Sequence, residues 1–442
     1  MVQGSMRSAG FGRDYKEQIK SACLAWLALL MLGGVGCKVE TKRPEGPTRA
    51  EKSSVQRVES DEVMDRTEAG IENRDELRDE QRDEQRDELS ERADEKRRWR
   101  EREFLKAVRA GDLEKVRVLV SEGVNPNSTD VEGRSALIVA AFNYQQQIVE
   151  FLVAQAGIQL NFADNDGRTV LIWAAENGYQ RMVETLLAQP GIEVNFTDSR
   201  GGTALLASAQ NGHAEVVNLL LGREDVQVNV VDNSRSTALM KAAQRGHLAV
   251  VKELLARKDV NPNSADRLGQ TALMLAAEWS RLEAVIALLE SPETNVNQQS
   301  TSGRTALMVA AAWGSPAVLQ TLIASADTNV NLRDGEGRTA LMLAAFKGRL
   351  ANVEILSRHT QVDLNAVDIY GKSALMFAAA EGHGEIVRYL STQTESALDL
   401  RDEQGRTAHT WARERHHAML ADFLERLQNT PNQFRPSCVG VF

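Results

Sequence analysis

Apolar and polar positions recur along residues 104 to 428 in a pattern that returns every 34 residues. Each period holds an apolar run such as Ala-Leu-Met-Val-Ala-Ala at 306–311, followed by a second run such as Val-Leu-Gln-Thr-Leu-Ile at 318–323. Both runs space their apolar residues like the buried face of a short helix. A fixed period of this length predicts a solenoid, in which each unit buries its apolar face against its neighbours.

Three small or polar residues hold fixed places in each period. A glycine opens the first run at 133, 167, 201, 269, 303, 337, 371 and 405, and only Arg235 breaks this series. We call these nine positions the glycine slots. A serine or threonine follows each slot by two residues, and an asparagine, or Asp399 in the last unit, precedes it by six. Because glycine adopts positive φ freely and arginine does not, we expect a strained turn at Arg235.

The repeat resembles the ankyrin repeat. Residues 201–213 read GGTALLASAQNGH, and Val216, Val217, Leu219, Leu220 and Asn229 follow as in that family. Alanine replaces the family's proline after the hydroxyl residue, an apolar residue replaces its histidine, and the period is one residue longer than usual. The resemblance implies an all-α fold, an ankyrin-repeat solenoid of about ten stacked β-hairpin/helix-turn-helix units, preceded by a charged stalk.

The composition divides the chain into six segments. We predict a signal peptide at 1–36, a lipidated cysteine with a charged low-complexity stalk at 37–101, and an N-terminal capping repeat at 102–130. Eight repeats at 131–402, a C-terminal capping repeat at 403–430 and a disordered tail at 431–442 complete the prediction.

The N-terminal segment has the features of an export signal. Four basic residues within 1–20 precede the unbroken apolar stretch 22–32, which is too short for an ordinary membrane span. Gly34-Val35-Gly36-Cys37 resembles a bacterial lipobox, although Gly34 stands where leucine is usual. The resemblance implies lipidation of Cys37 and a periplasmic or cell-surface lipoprotein, membrane-anchored at that residue. Plain secretion and an uncleaved anchor remain alternatives.

More than half of the residues from 38 to 101 are charged, so this segment cannot bury a core. Its four-residue repeat, seen at 74–89, predicts a partly helical, solvated stalk. Apolar residues there are confined to Leu77 and Leu89, which gives no heptad seam for a coiled coil. The stalk is either a spacer or a low-complexity stretch without a role.

No catalytic motif is present, and we expect neither an enzyme nor a cofactor. The net charge of −10 (52 basic against 62 acidic residues) argues against nucleic acid as a partner. Methionines recur at 240, 274, 308, 342 and 376, and His409, His416 and His417 cluster in the last unit. These suggest metal or oxidant handling as an alternative, but core packing explains the methionines better because equivalent helices lie ~8–10 Å apart. His213, His247 and His383 stand at the family's inter-helix turn, where histidine is structural.

The best functional signal lies on the concave face that the resemblance implies, which we call the groove face. Its positions are the two residues before each glycine slot, the one after it, and those nine and ten after it. They include the candidate partner-binding residues Phe142, Trp279, Trp313, Phe346, Tyr370, Arg304 and Arg338. Exposed aromatic residues beside arginine are typical of binding hot spots. Trp173 and Trp411 fall on a core position instead.

These residues predict a monomeric scaffold that binds a protein of unknown identity and is attached to a membrane through its N-terminus. A cytoplasmic scaffold with an uncleaved anchor is a second alternative, and packing of the aromatic residues against the adjacent turn is the simplest explanation without a partner.

Overall fold

The computed structural model describes residues 59–393 and 398–429, without the side chains of 59–81 and 84. The chain divides into two units between Asp87 and Glu88. The signal peptide, Cys37 and the tail predicted at 431–442 therefore lie outside the described residues. Among the helices of the described residues, none has both the length and the apolar character needed to cross a membrane.

Helices in pairs account for most of the described chain. The first helix, α1, covers Glu59–Ala110, so it includes residues of the predicted stalk and of the capping repeat, and α2 (Leu113–Ser121) completes the first pair. Nine pairs follow: α3 and α4 (Ala136–Phe142, Gln146–Val153), α5 and α6 (Val170–Glu176, Gln180–Leu187), α7 and α8 (Ala204–Asn211, Ala214–Leu221), α9 and α10 (Ala238–Arg245, Leu248–Leu255), α11 and α12 (Ala272–Glu278, Leu282–Glu290), α13 and α14 (Ala306–Ala312, Pro316–Ala324), α15 and α16 (Ala340–Phe346, Leu350–Ser357), α17 and α18 (Ala374–Ala380, Gly384–Gln393), and α19 and α20 (Ala408–Glu414, Ala418–Asn429). The predicted solenoid of about ten units is confirmed.

The hydroxyl residue after each glycine slot starts the first helix of its unit. In all nine pairs its side chain accepts a hydrogen bond from the backbone N–H three residues on, as Thr305 does from Met308. Such a cap satisfies one of the free N–H groups at a helix start. These helices are only seven or eight residues long, so their stability comes from packing rather than from helix propensity.

One continuous core extends from Phe104 to Leu424. First helices of consecutive pairs contact each other and their own second helices. The methionines at 240, 274, 308, 342 and 376 are at most 1% exposed, which places them in this core between repeats. Methionines buried in this way fill irregular gaps in a core. Their side chains have no exposed surface that an oxidant or a metal ion could contact.

Tight turns join each pair to the next. Among the described residues the backbone bridges of the predicted hairpins are limited to Thr129 with Ser135 and Val367 with Ser373. The turns are held mainly by an aspartate three residues before the glycine slot, which we call the turn aspartate. Asp164 Oδ1, for example, accepts hydrogen bonds from the N–H groups of Asp166 and Arg168 at 3.0 and 2.8 Å.

Adjacent turns are tied together through the backbone. The N–H two residues before each glycine slot from 167 to 405 donates to a carbonyl of the preceding turn, as Ser199 donates to Asp166 at 2.9 Å. These bonds do not depend on side chains. The turn residues can therefore vary without loss of the stack.

The asparagine six residues before the glycine slot joins each unit to the next with two hydrogen bonds. Asn263 Nδ2 donates to the carbonyl of Glu293 at 2.6 Å, and its Oδ1 accepts from the N–H of Asn295 at 2.7 Å. The same pair of bonds occurs at Asn127, Asn161, Asn195, Asn229, Asn297 and Asn331. We call this series the asparagine ladder.

A second series joins the units at the inter-helix turn. His213, His247 and His383 each place Nε2 3.0–3.1 Å from a carbonyl of the preceding unit, which confirms their structural role. His417 does the same with Ala380 at 3.2 Å, so it belongs to this series. Arg281 and Arg349 donate through Nε in the equivalent place.

The link between α13 and α14 departs from the others. Ser315 caps α14 and Pro316 stands in its first turn, as the sequence predicts. Asn352, which occupies an apolar core position of α16, is 2% exposed and donates to the carbonyls of Ala310 and Ala311 at 3.2 and 3.0 Å. Its amide thus reaches carbonyl groups at the end of α13.

Arg235 has φ of 61°, which confirms the expected strained turn. We predict that Arg235→Gly raises the free energy of unfolding by about 0.5–1 kcal/mol, because glycine adopts this conformation without strain. Thermal and urea unfolding followed by circular dichroism measure the change. The matched control is Gly303→Ala, which should destabilise the chain because a Cβ there would lie 2.6 Å from the backbone nitrogen of Gly335. An unchanged or lower stability of Arg235→Gly would contradict the prediction.

The asparagine ladder predicts a second effect. Asn263→Ala removes two hydrogen bonds between units and should lower the free energy of unfolding by about 1–3 kcal/mol. Asn177→Ala is the control, since among the described residues the Asn177 side chain bonds only to the carbonyl of Trp173 within its own unit. Equal effects of the two substitutions in urea unfolding would mean that the ladder does not couple the repeats.

Candidate binding groove

The candidate aromatic residues differ in exposure. Trp279, Tyr370 and Phe142 expose 54, 51 and 47% of their surface, whereas Trp313 and Phe346 are partly buried. Phe142 stands apart from the others, with its ring in edge contact with Trp173 at 5.2 Å. The groove face therefore offers two separate aromatic areas.

Aromatic rings and cations form a continuous strip across the last repeats. Lys347 Nζ lies 5.5 Å from the ring centre of Trp313 and 5.1 Å from that of Phe346. Phe346 contacts Phe377 at 5.9 Å. Lys372 Nζ then reaches Phe377 and Tyr370 at 5.8 and 5.9 Å. We call Trp313, Phe346, Lys347, Tyr370, Lys372 and Phe377 the cation–aromatic strip.

The two candidate arginines share one buried carboxylate. Arg338 is bound to Asp334 at 2.9 Å and to Glu336 at 2.8 Å, so its charge is already paired within its own turn. Arg304 lies 3.7 Å from the same Asp334 and 5.0 Å from the ring centre of Trp313. Arg304 reaches into the next turn because its own turn carries Ser300 in place of the aspartate. Its Nε atom is buried without a hydrogen-bond partner among the described residues.

In the units of Arg134, Arg168 and Arg406 the residue after the glycine slot also forms a pair with the turn aspartate. Arg134 and Arg406 bind Asp130 and Asp402 at 2.7 and 2.9 Å. Burial raises the pKa of both carboxyl groups, but hydrogen bonds from the arginine outweigh burial and hold each pKa below its usual range. Burial raises the pKa of the Asp232 carboxyl group, but the hydrogen bond from Lys241 helps to hold this pKa below its usual range. These carboxylates stay charged and rigidly placed at neutral pH.

Trp173 and Trp411 complete this pair in two units. Their Nε1 atoms donate to Asp164 and Asp402, both at 3.0 Å. The guanidinium of Arg168 lies 3.9 Å above the Trp173 ring, and Arg406 lies 3.8 Å above Trp411. Trp411 is 6% exposed, as its predicted core position requires. Each aspartate, arginine and tryptophan thus forms a closed group.

Three clefts lie between neighbouring units on the described part of the chain, two of them at turns where this group is incomplete. A cleft of about 230 Å³ beside Trp313 is lined by Leu268, Ser300 and Arg304, and another of about 310 Å³ is lined by Trp279 and Arg281. The third, of about 430 Å³, surrounds Gly202. The clefts are open and their walls combine polar and apolar groups, which suits side chains of another protein better than a small apolar ligand.

Three exposed apolar residues of the groove face lie outside the set of aromatic residues that the sequence predicts. Val131, Leu268 and Ile369 expose 97, 63 and 53% of their surface, and all lie in the two positions before a glycine slot. The sequence signal for these exposed residues is an aliphatic side chain at one of the two positions before a glycine slot. Leu268 lies beside the cleft of Trp313 and extends that apolar surface.

The histidines of the last unit do not share a site. His417 is bound to the carbonyl of Ala380, and the residues that the structure describes contain no group of three His, Cys, Asp or Glu side chains placed to hold a metal ion.

Comparisons with known proteins agree with the helix pair that recurs every 34 residues. A search of the curated proteins found no match. A family model described as ankyrin repeats (3 copies) matches residues 104–198, 205–300, 242–334, 288–368 and 307–401. These overlapping matches extend over the helix pairs from α1 to the start of the last unit. The chain belongs to the ankyrin-repeat family.

Proposed function

We propose that this chain is an exported, lipid-anchored scaffold, without enzymatic activity, that holds a partner protein on its groove face. Ankyrin repeats are protein-binding units, which supports the general function. The cation–aromatic strip supports the position of the site, and the N-terminal sequence supports export.

The observation that carries the proposal is a set of cations on aromatic faces, of which Lys347 and Lys372 lack an ion pair and Arg304 shares the carboxylate that Arg338 already binds. Among the described residues, neither Lys347 nor Lys372 forms an ion pair, although both lie against rings. Arg304 lacks the aspartate that other units supply within the same turn. A ring beneath a cation stabilises it by only about 0.5–1 kcal/mol at exposed sites, so these cations can still gain a carboxylate.

This chemistry favours a partner segment with both acidic and apolar side chains. Carboxylates would pair with Lys347, Lys372 and Arg304, while apolar groups would cover Trp279 and Tyr370. Aromatic residues at the centre of an interface and charges at its rim are the usual arrangement of protein contacts. The strip spans consecutive repeats, which suits an elongated segment laid across the turns.

Replacing the aromatic residues tests the site. We predict that Trp279→Ala combined with Trp313→Ala weakens binding of the partner by at least about 30-fold, the effect of losing ~2 kcal/mol at a hot spot. The partner is first crosslinked in the native cell and identified. Its affinity for purified full-length variants is then measured by calorimetry.

Trp99→Ala is the matched control, because Trp99 is a 61% exposed tryptophan on α1, outside the repeats of the groove face. Circular dichroism and thermal unfolding establish that the double variant is folded. A folded double variant that binds the partner with wild-type affinity would remove the proposal. The aromatic residues would then serve only to pack against adjacent turns.

The membrane anchor predicts a specific mature N-terminus. We expect mass spectrometry of protein purified from membranes to find Cys37 as the first residue, carrying acyl chains, since several chains are needed for firm anchoring. Cys37→Ser should move the protein from the membrane to the soluble fraction. An unmodified Cys37, or an N-terminus upstream of it, would contradict lipidation. Protection of the repeats from protease in intact cells, with residues 22–32 retained, would instead favour a cytoplasmic scaffold.

A further inference from the structure

An arginine side chain fills the same space in four turns of the groove face. Arg134, Arg168, Arg338 and Arg406 each follow a glycine slot and bind the turn aspartate of their own unit, with N to O distances of 2.7–3.3 Å. In two of these units a tryptophan five residues on lies beneath the guanidinium. The protein itself thus shows what group this space accepts.

The turn at Gly202 has the same aspartate but neither partner. Gly202 stands where the arginine would be, and Ala207 stands where Trp173 and Trp411 lie in their own units. Asp198 Oδ1 still accepts the N–H groups of Arg200 and Gly202 at 2.8 and 2.7 Å. Among the described residues, no side chain donates to Asp198. The carboxylate is therefore positioned as in the other turns, but without a cation.

The space that the two small residues leave is open. A cleft of about 430 Å³ lies at this turn, lined by Glu176, Asp198, Gly202, Ala207 and Lys241 among others. We call it the arginine slot. A Cβ atom added to Gly202 would lie 3.0 Å from Asp198 Oδ2, so a group entering here meets that oxygen directly.

The cations around the slot are either engaged elsewhere or exposed. Lys241 is bound to Asp232 at 2.7 Å, and Arg168 is bound to Asp166 at 2.9 Å. Arg200 is exposed and forms no ion pair among the described residues. Asp198 and the half-buried Glu176 remain as the carboxylates that can receive a new cation.

We propose that the arginine slot receives an arginine side chain from the partner protein, with its guanidinium bound to Asp198. The proposal rests on the scaffold function above and adds the chemistry of one contact. Arginine suits the slot better than lysine because its planar fork bonds to a carboxylate at two points, and the four side chains that bind a turn aspartate from the position after the glycine slot are all arginine, whereas Lys241 reaches Asp232 from the helix. The slot lies apart from the cation–aromatic strip, so the two contacts can be tested separately.

A small probe tests the slot without knowledge of the partner. N-acetyl-arginine methylamide is titrated into the full-length protein, and the methyl resonance of Ala207 is followed by NMR. We expect a saturable shift in the wild type. Loss of a charge-assisted pair should weaken binding at least about tenfold in Asp198→Asn. Gly202→Arg should weaken it to the same extent, because the chain's own arginine then fills the slot as Arg168 does in the preceding unit.

Two controls make the result specific. Gln270→Arg adds the same charge at the equivalent position two units on, outside the lining of the slot, and should leave probe binding unchanged. N-acetyl-citrulline methylamide has the shape of the probe without its charge and should not bind. The proposal is overturned if the wild type shows no saturable shift, if citrulline binds equally well, or if Gly202→Arg binds the probe as the wild type does.

The outcomes separate this proposal from the scaffold function. Failure of the probe while the Trp279 and Trp313 variants still lose the partner overturns the arginine slot alone. Binding of the probe while those variants keep the partner overturns the proposed position of the groove site and leaves the slot without its partner.

Discussion

Asparagine side chains hold successive units in register across seven boundaries, from Asn127 to Asn331. Each amide gives its N–H to a carbonyl 30 residues on and accepts an N–H 32 residues on, so one side chain satisfies two backbone groups of the next unit. A single unit cannot form these bonds alone, and neither can it bury its methionine and alanine face. Stability therefore grows with each junction, as nearest-neighbour coupling in a solenoid requires.

The turns of the groove face are joined to one another through backbone groups, and this leaves their side chains free to vary. Hydrogen bonds between adjacent turns, such as the one from the Thr301 N–H to the carbonyl of Leu268, do not depend on the side chains of the residues that form them. Leu268, Tyr370 and Arg200 can thus occupy related positions in different units without disturbing the stack. A surface built in this way can differ in charge and apolar character from one repeat to the next. Recognition is for this reason independent of the frame that supports it.

The period of the sequence predicted the stacked helix pairs, because the same types of residue build each pair. The glycine slots, the asparagine row and the strain at Arg235 could all be read from positions that recur. Contacts of residues that break the period could not be read in the same way. Asn352 takes an apolar position and reaches the end of α13, and nothing in its own repeat indicates this.

The pairing of Arg338 with Asp334 was missed for a different reason: both residues recur, but their contact depends on side-chain direction within a turn. The exposure of Val131 and Leu268 follows from their positions before a glycine slot, but the predicted binding residues included only aromatic residues and arginines at such positions.

The turn aspartate and its arginine are a neutral pair, and the turns of Gly202 and Ser300 carry opposite halves of it. Gly202 leaves Asp198 without a cation, and Ser300 leaves Arg304 without the carboxylate of its own turn. The two sites are three units apart, about 24–30 Å at the usual spacing of packed helices. A partner segment that supplies arginine at the first site and a carboxylate at the second gains both pairs. The same segment in the reverse direction would place like charges together at both sites, which costs several kcal/mol. Under the proposed function, the opposite charges at these two turns would give a bound partner segment one preferred direction.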